Sequence, residues 1–284
     1  ATALLDRAVE RGWGDRTAIM TPDGLRWTYA DLLARANRIA RVLVEDLGLV
    51  PGNRVLLRAP NNPLHAACWF AVMKAGGIAV GTMPLLRAKE LTDVITKAQV
   101  SHALCDARLA EELDAARPDC PTLATVLLFG SGQPEGLDAR AAVKPPTFAN
   151  VDTAAEDTAL IAFTSGTTGK PKGTMHFHRD VLAACACFPR STLKASPDDL
   201  FTGSPPLAFT FGLGGLLLFP LSIGAATLLV ERPAPEFLLP AIAKFRATVL
   251  FTAPTSYRAL AAEVKGHDLS SLRTVWHLAE PCPP

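Results

Sequence analysis

An excess of charge of either sign is the first thing this sequence lacks. With 28 Lys and Arg against 27 Asp and Glu, its formal net charge is +1. No broad field therefore favours nucleic acid or an acidic membrane surface as a partner. It also lacks a long apolar run. A bilayer-crossing helix needs roughly 18 to 20 such residues, and the greasiest patch, Leu213 to Ile223, is broken by Gly214, Gly215 and Pro220. No basic-then-apolar segment of a secretory signal opens the chain. The first residue is Ala1 rather than methionine, so a start further upstream is expected. The six cysteines, Cys68, Cys105, Cys120, Cys185, Cys187 and Cys282, form no C-x-x-C pair. Free thiols in a reducing cytoplasm are expected from that. His176 and His178 stand two apart, on one face if the segment is a strand. Without a third ligand nearby, no metal site is assigned.

What is present is the composition of an ordinary globular protein, with 49% apolar and 19% charged residues in 284. That length buries a sizeable core in one domain or two. Thr28 to Asp31 resembles a capping box, and the apolar residues from Leu32 to Leu47 recur at helical spacing up to Gly48. Beyond Pro51 the pattern alternates. Strands are predicted at 55–57, 78–80, 102–105, 125–129, 157–163, 174–176, 200–202, 227–230 and 248–252. Helices are predicted at 64–75, 87–99, 107–116, 179–188, 213–221, 235–245 and 255–264. This alternation predicts βαβ units and an α/β fold with largely parallel sheets and helices on both faces. Residues 130–153, rich in Gly, Pro and Ala, read as a surface excursion.

The chemically suggestive stretch is Thr164 to Gly173, TSGTTGKPKG, which follows the apolar run from Ala159 to Phe163. Glycines let backbone N–H groups close on an anion, and hydroxyls and lysines add donors and charge. A solvated surface loop is the plain alternative, but ten such residues at the end of a buried strand argue against it. The Walker spacing is excluded: two residues, not four, separate Gly166 from Gly169, and Pro171 follows Lys170. Proline removes an N–H and disfavours helical geometry at Lys170. A flap between two strands is expected instead of a helix cap.

The stretch resembles the signature loop of the adenylate-forming superfamily, which includes acyl- and aryl-CoA ligases. That resemblance implies an N-terminal AMP-binding domain in which Thr164, Ser165, Gly166, Thr167, Thr168, Gly169 and Lys172 hold ATP phosphates. It further implies a pocket for the acid. Phe209, Thr210, Phe211, Gly212 and Leu213 fit the superfamily's aromatic-x-F-G-L element, although the two rings alone also read as core. Ala253, Pro254, Thr255 and Tyr257, in a strand running into a helix capped near Thr255, fit its second pocket segment. His178 matches a histidine near the active centre.

These segments look most like 2-aminobenzoate- and benzoate-CoA ligases. The implied reaction joins a small aromatic acid to AMP and then to CoA, with ATP, magnesium and CoA as co-substrates. A fatty-acyl ligase, a non-catalytic binding module and an unrelated protein with a convergent loop are the alternatives. Glu280-Pro281 align with the superfamily's adenine-contacting turn, with Ala279 standing where glycine is expected, so that Ala279, Glu280 and Pro281 are read as adenine contacts; the rest of the tail fits poorly. The expected later motifs, including the C-terminal domain with the catalytic lysine, do not follow, so no catalytic residue is assigned. The chain is read as an AMP-binding domain incomplete at its C-terminal end, with subdomains near 50–180 and 1–49 plus 181–284. Such a piece is expected to bind an acid or adenylate but to turn over negligibly.

Overall fold

The computed structural model describes residues 2–164 and 171–277. Strands β1 (Thr17–Met20), β2 (Arg26–Thr28), β3 (Arg54–Arg58), β4 (Ile78–Thr82), β5 (His102–Asp106) and β6 (Thr125–Phe129) come first along the chain. They are followed by β7 (Thr158–Thr164), β8 (Lys172–Phe177), β9 (Leu200–Gly203), β10 (Ala226–Leu228), β11 (Val249–Phe251) and β12 (Thr274–Trp276). The strands form two six-stranded sheets, ordered β6-β5-β3-β4-β7-β8 and β12-β11-β9-β10-β1-β2. All pairings are parallel except the two hairpins, β7 with β8 and β1 with β2. The architecture is thus α/β with mixed, mostly parallel sheets.

The chain divides into two compact units. One contains Leu32–Pro60 and Leu64–Leu182, and the other Ala3–Asp31, Asn61–Pro63 and the chain from Ala183 onward. The first sheet belongs to the former (unit 1) and the second sheet to the latter (unit 2). Residues 32–49, expected with the second part, lie in unit 1. The reason is tertiary bonding: Asn37 Nδ2 donates to the Pro146 carbonyl at 2.7 Å, and His102 Nε2 donates to that of Leu47 at 3.0 Å.

Helix α1 (Tyr29–Arg41) starts at the predicted box. The Thr28 N–H donates to Asp31 Oδ2 at 2.9 Å, and the Asp31 N–H to Thr28 Oγ1 at 3.1 Å. Helix α2 (Pro63–Lys74) is apolar on nearly every face and correspondingly buried from Ala66 to Met73. Helices α3 (Ala88–Ala98) and α4 (Ala110–Ala116) set Leu91, Val94, Ile95 and Leu113 into one core with Leu56 and Val80 of the sheet. The 130–153 stretch is not wholly irregular. A short helix, α5 (Leu137–Ala142), is held by buried Leu137 and by Asp138 Oδ2, which accepts the Gly130 N–H at 2.7 Å. Six residues are too few to show a period, which is why the sequence hid it.

Each sheet changes direction beside its first crossover strand. From β3 the chain reaches β4 on one side and β5 on the other, and from β9 it reaches β10 and β11 in the same manner. Such switch points open crevices at the carboxyl ends of the strands, where open α/β sheets take ligands. At the end of β3 the crevice is filled. The Arg58 guanidinium, 1% exposed, donates to the carbonyls of Met83 (2.9 Å), Pro84 (3.1 Å), Leu86 (3.0 Å) and Leu109 (3.1 Å), so it ties together the loops that leave β4 and β5.

Candidate active site

The phosphate-type stretch stands on the β7–β8 hairpin at the edge of the first sheet. Ala159 and Leu160 anchor β7 in the core, and Ala79 and Val80 of β4 pair with Leu160 and Ile161. Phe163 pairs with Gly173, and Thr164 with Lys172. A side chain at Gly173 would meet Ile161 at 3.0 Å and the Phe163 ring at 3.2 Å. Glycine there lets the ring lie across the neighbouring strand and fix the root of the hairpin. Thr164 and Lys172 are both exposed at the open end. Their placement gives an ammonium and a hydroxyl side by side on a rigid base. Ser165, Gly166, Thr167, Thr168 and Gly169 lie outside the described residues, as do Ala279, Glu280 and Pro281.

Helix α6 (His178–Cys187) follows β8 directly. His178 is therefore the first helical residue rather than a strand residue, and it does not share a strand face with His176. Its N–H donates to the Asp157 carbonyl at 3.1 Å, and Asp180 Oδ2 caps the turn by accepting the Phe177 N–H at 2.9 Å. Burial holds the half-buried His178 imidazole below its ordinary pKa, with Asp157 partly opposing. At neutral pH it is a neutral ring able to donate from one nitrogen and accept at the other.

In unit 2 the aromatic stretch begins where β9 ends. The Ser204 N–H donates to the Phe251 carbonyl at 3.0 Å, and the Ser204 and Thr252 hydroxyls share a short hydrogen bond across the β9–β11 crevice. Helix α7 (Thr210–Leu213) then starts, with Phe209 as its N-cap. The two rings part company here. Phe211 turns inward, its ring 5.4 Å from that of Phe251, while Phe209 stays 37% exposed. Thr210 is exposed, and Gly212 and Leu213 are buried. The bare backbone at Gly212 serves the protein itself, since a Cβ there would sit 2.1 Å from the Pro206 carbonyl oxygen.

Helix α8 (Pro254–Glu263) follows β11, with Ala253 as N-cap and buried Pro254 in the first turn. The start is thus set by Pro254, whose fixed φ suits a first turn, and not by a Thr255 cap; Thr255 is exposed. The Tyr257 hydroxyl donates to the Trp276 carbonyl at 3.2 Å, and its ring meets His277 edge-on at 6.2 Å. Trp276 Nε1 and His277 Nδ1 are buried without a hydrogen-bond partner. Unmet buried polar atoms carry a cost, and both of these lie at the carboxyl end of β12, next to Tyr257.

Sequence reasoning had not singled out Ser204, Thr252, Trp276 or His277. The first two carry one usable signal, a small hydroxyl residue at or just past the carboxyl end of a predicted parallel strand. Among the described residues no group of three His, Cys, Asp or Glu side chains could hold a metal ion. No helix among them is long and apolar enough to cross a membrane.

A family model described as AMP-binding enzyme matches residues 5–284. A benzoate–CoA ligase of Thauera aromatica is 28% identical over 263 residues, 92% of this chain and 50% of the relative. An anthranilate–CoA ligase of Pseudomonas aeruginosa is 31% identical over 260 residues, 89% of this chain and 47% of the relative. Among solved structures, the anthranilate CoA ligase AuaEII in complex with anthranoyl-AMP superposes with a TM-score of 0.92 at 28% identity, covering 99% of this chain and 54% of that one. The chain spans about half the length of the curated relatives it matches.

Proposed function

The chain belongs to the AMP-binding enzyme family, and we propose that it serves an ATP-dependent aryl-CoA ligase. The substrate is a small aromatic carboxylic acid, 2-aminobenzoate or benzoate. A carboxylate oxygen attacks the α-phosphorus of ATP; the new C–O–P bond forms as the bond to the β-phosphate oxygen breaks, and pyrophosphate leaves. The CoA thiol then loses its proton and its sulfur attacks the acyl carbon; the C–S bond forms as the acyl C–O bond to the phosphate breaks, and AMP departs. The residues of this chain contribute binding and orientation to the first step.

Thr164, Ser165, Gly166, Thr167, Thr168 and Gly169 supply neutral donors to the β- and γ-phosphates, and Lys172 supplies charge that strengthens as the leaving group develops. Phe209 offers an exposed ring to the acid's ring, with Thr210, Phe211, Gly212 and Leu213 as its support. Ala253, Pro254, Thr255 and Tyr257 are assigned to the second segment of the acid pocket, and His178 is assigned a place near the active centre. Magnesium is assigned to the phosphates of the bound nucleotide. Ala279, Glu280 and Pro281 are assigned to the adenine.

The observation that carries this reading is the joint one: an intact TSGTTGKPKG stretch between the antiparallel strands β7 and β8 at a sheet edge, in a chain that superposes over 99% of its length on an anthranilate CoA ligase. ATP–pyrophosphate exchange by the full-length enzyme with benzoate, 2-aminobenzoate and a medium-chain fatty acid tests it. Exchange is expected with an aromatic acid, and exchange with the fatty acid alone would sink the aryl assignment. For the 284-residue chain itself, calorimetry should show tighter binding of a sulfamoyl aryl-adenylate analogue than of ATP.

A further inference from the structure

The loop that presents Phe209 begins Pro205-Pro206-Leu207. Pro206 has no N–H, so this backbone cannot complete a ladder with a neighbouring strand. Yet Pro205 and Leu207 are buried, and an unmet carbonyl or amide there would be costly. Both groups are satisfied by one side chain from 144 and 146 residues earlier in the chain. Asn61 Nδ2 donates to the Pro205 carbonyl at 2.9 Å, and Asn61 Oδ1 accepts the Leu207 N–H at 2.8 Å. Asn61 is 5% exposed. Its carboxamide presents a donor and an acceptor side by side, as a strand partner would.

The rest of the loop is built on that hold. The Pro206 carbonyl accepts the Phe209 N–H at 3.0 Å, and the Phe209 carbonyl accepts the Leu213 N–H at 2.7 Å. Gly212 lies against the Pro205 and Pro206 carbonyls, where a Cβ would come within 2.7 and 2.1 Å of their oxygens. The backbone from Pro205 to Leu213 is thereby tied to itself, and Asn61 ties it to the segment Asn61–Pro63. Phe209 remains exposed on a base with little freedom to shift.

We propose that Asn61 is a positioning residue for the acid: its carboxamide sets the 205–209 loop and, through it, the Phe209 ring. This rests on the aryl-acid reading of Phe209 given above. Asn61 touches no substrate in this proposal and acts only through the loop. Apolar truncation leaves Phe209 in place chemically but lets its ring wander, so affinity for an aromatic acyl group falls while affinity for the phosphate end of ATP does not.

The test uses wild type, Asn61→Ala, Asn61→Asp, Phe209→Ala and the Asn61→Ala/Phe209→Ala double variant. Asn61→Asp keeps the acceptor for Leu207 and the side-chain volume but loses the donor to Pro205, so it stands in should the alanine variant not fold. Amide hydrogen exchange on the free proteins is expected to speed up across 205–213 in both Asn61 variants and to stay at the wild-type rate across β11. Calorimetry with 5′-O-[N-(2-aminobenzoyl)sulfamoyl]adenosine is expected to show about tenfold weaker binding for Asn61→Ala, with ATP affinity unchanged.

In the Phe209→Ala background the Asn61 effect on the analogue should vanish, since the two residues act as one. An equal loss in both backgrounds, or an equal loss for ATP, would overturn positioning and leave a general structural role. Unchanged exchange across 205–213 would overturn it as well. A wild-type protein that binds ATP but not the analogue would instead overturn the aryl reading, and with it positioning toward that ligand, even if the exchange result showed the loop clamp to be real.

Discussion

At the end of β3 the switch-point crevice holds a buried arginine on four carbonyls. At the end of β9 the corresponding crevice holds two hydroxyls, with an exposed phenylalanine one loop away. The strand orders that create the two crevices are the same, down to an antiparallel hairpin at the far edge of each sheet. The hairpins also end alike. In each, an aspartate three residues on caps the last strand N–H as a helix begins, Asp31 for Thr28 and Asp180 for Phe177. Their tips differ. Between β1 and β2 the turn is closed by Thr21–Leu25 and Gly24–Thr21 backbone bonds, with Gly24 at φ +97. Between β7 and β8 runs the Gly/Ser/Thr/Lys stretch. Topology therefore supplies two equivalent places for a ligand in each unit, and the side chains at the strand ends and hairpin tips decide which is used. In unit 1 the crevice is plugged and the hairpin bears the Gly/Ser/Thr/Lys stretch; in unit 2 the hairpin is closed and the crevice is left to small hydroxyls.

The largest effect should come from emptying the plug. Arg58→Ala strips donors from four carbonyls in a buried site, and a loss of about 3 kcal/mol or more is expected in urea unfolding. A loss under about 1 kcal/mol would mean that the plug is incidental and the contrast with β9 fails. Gly212→Ala should cost somewhat less, about 2–3 kcal/mol, because backbone at Pro206 has to retreat from the new methyl. A neutral outcome there would mean that the loop bearing Phe209 is looser than its hydrogen bonds imply.

A third measurement separates the units by pH. His65 of α2, whose Nδ1 donates to the Pro60 carbonyl at 3.2 Å, is buried, and burial lowers its pKa to about 4. The unfolded imidazole takes up a proton near pH 6.5 while the folded one resists until about 4. The His65 contribution is thus intact above about pH 6.5 and is lost as pH falls towards 4, by at most about 3 kcal/mol. Unfolding of wild type and His65→Gln followed across that window should show a flatter pH dependence in the variant. The smallest stability effect belongs to Phe209→Ala, within about 0.5 kcal/mol for an exposed ring, against about 3 kcal/mol for the inward Phe211→Ala. Equal losses would contradict the division of labour between the two rings.

The α/β alternation, most element positions and the phosphate-type stretch were legible because each is a local pattern. Strands β3 to β5 are short apolar runs, α1 carries its own cap and period, and TSGTTGKPKG is contiguous. The inward and outward turns of Phe211 and Phe209 were not legible, since two residues apart in one motif they look alike. Tyr257's bond to β12 and the Ser204–Thr252 pair join segments that nothing in the sequence links.

What the sequence by itself determined was the kind of machine: parallel βαβ units and a loop rich in glycine, hydroxyls and lysine, both written in nearest neighbours and short periods. What only the tertiary structure decided was how each crevice is filled and how the aromatic loop is held. Arg58 reaches loops 25 to 51 residues away, and Asn61 reaches Leu207 across 146. Buried hydrogen bonds of that span depend on where the folded backbone leaves a carbonyl or an amide unmet, and that is a property of the assembled sheets.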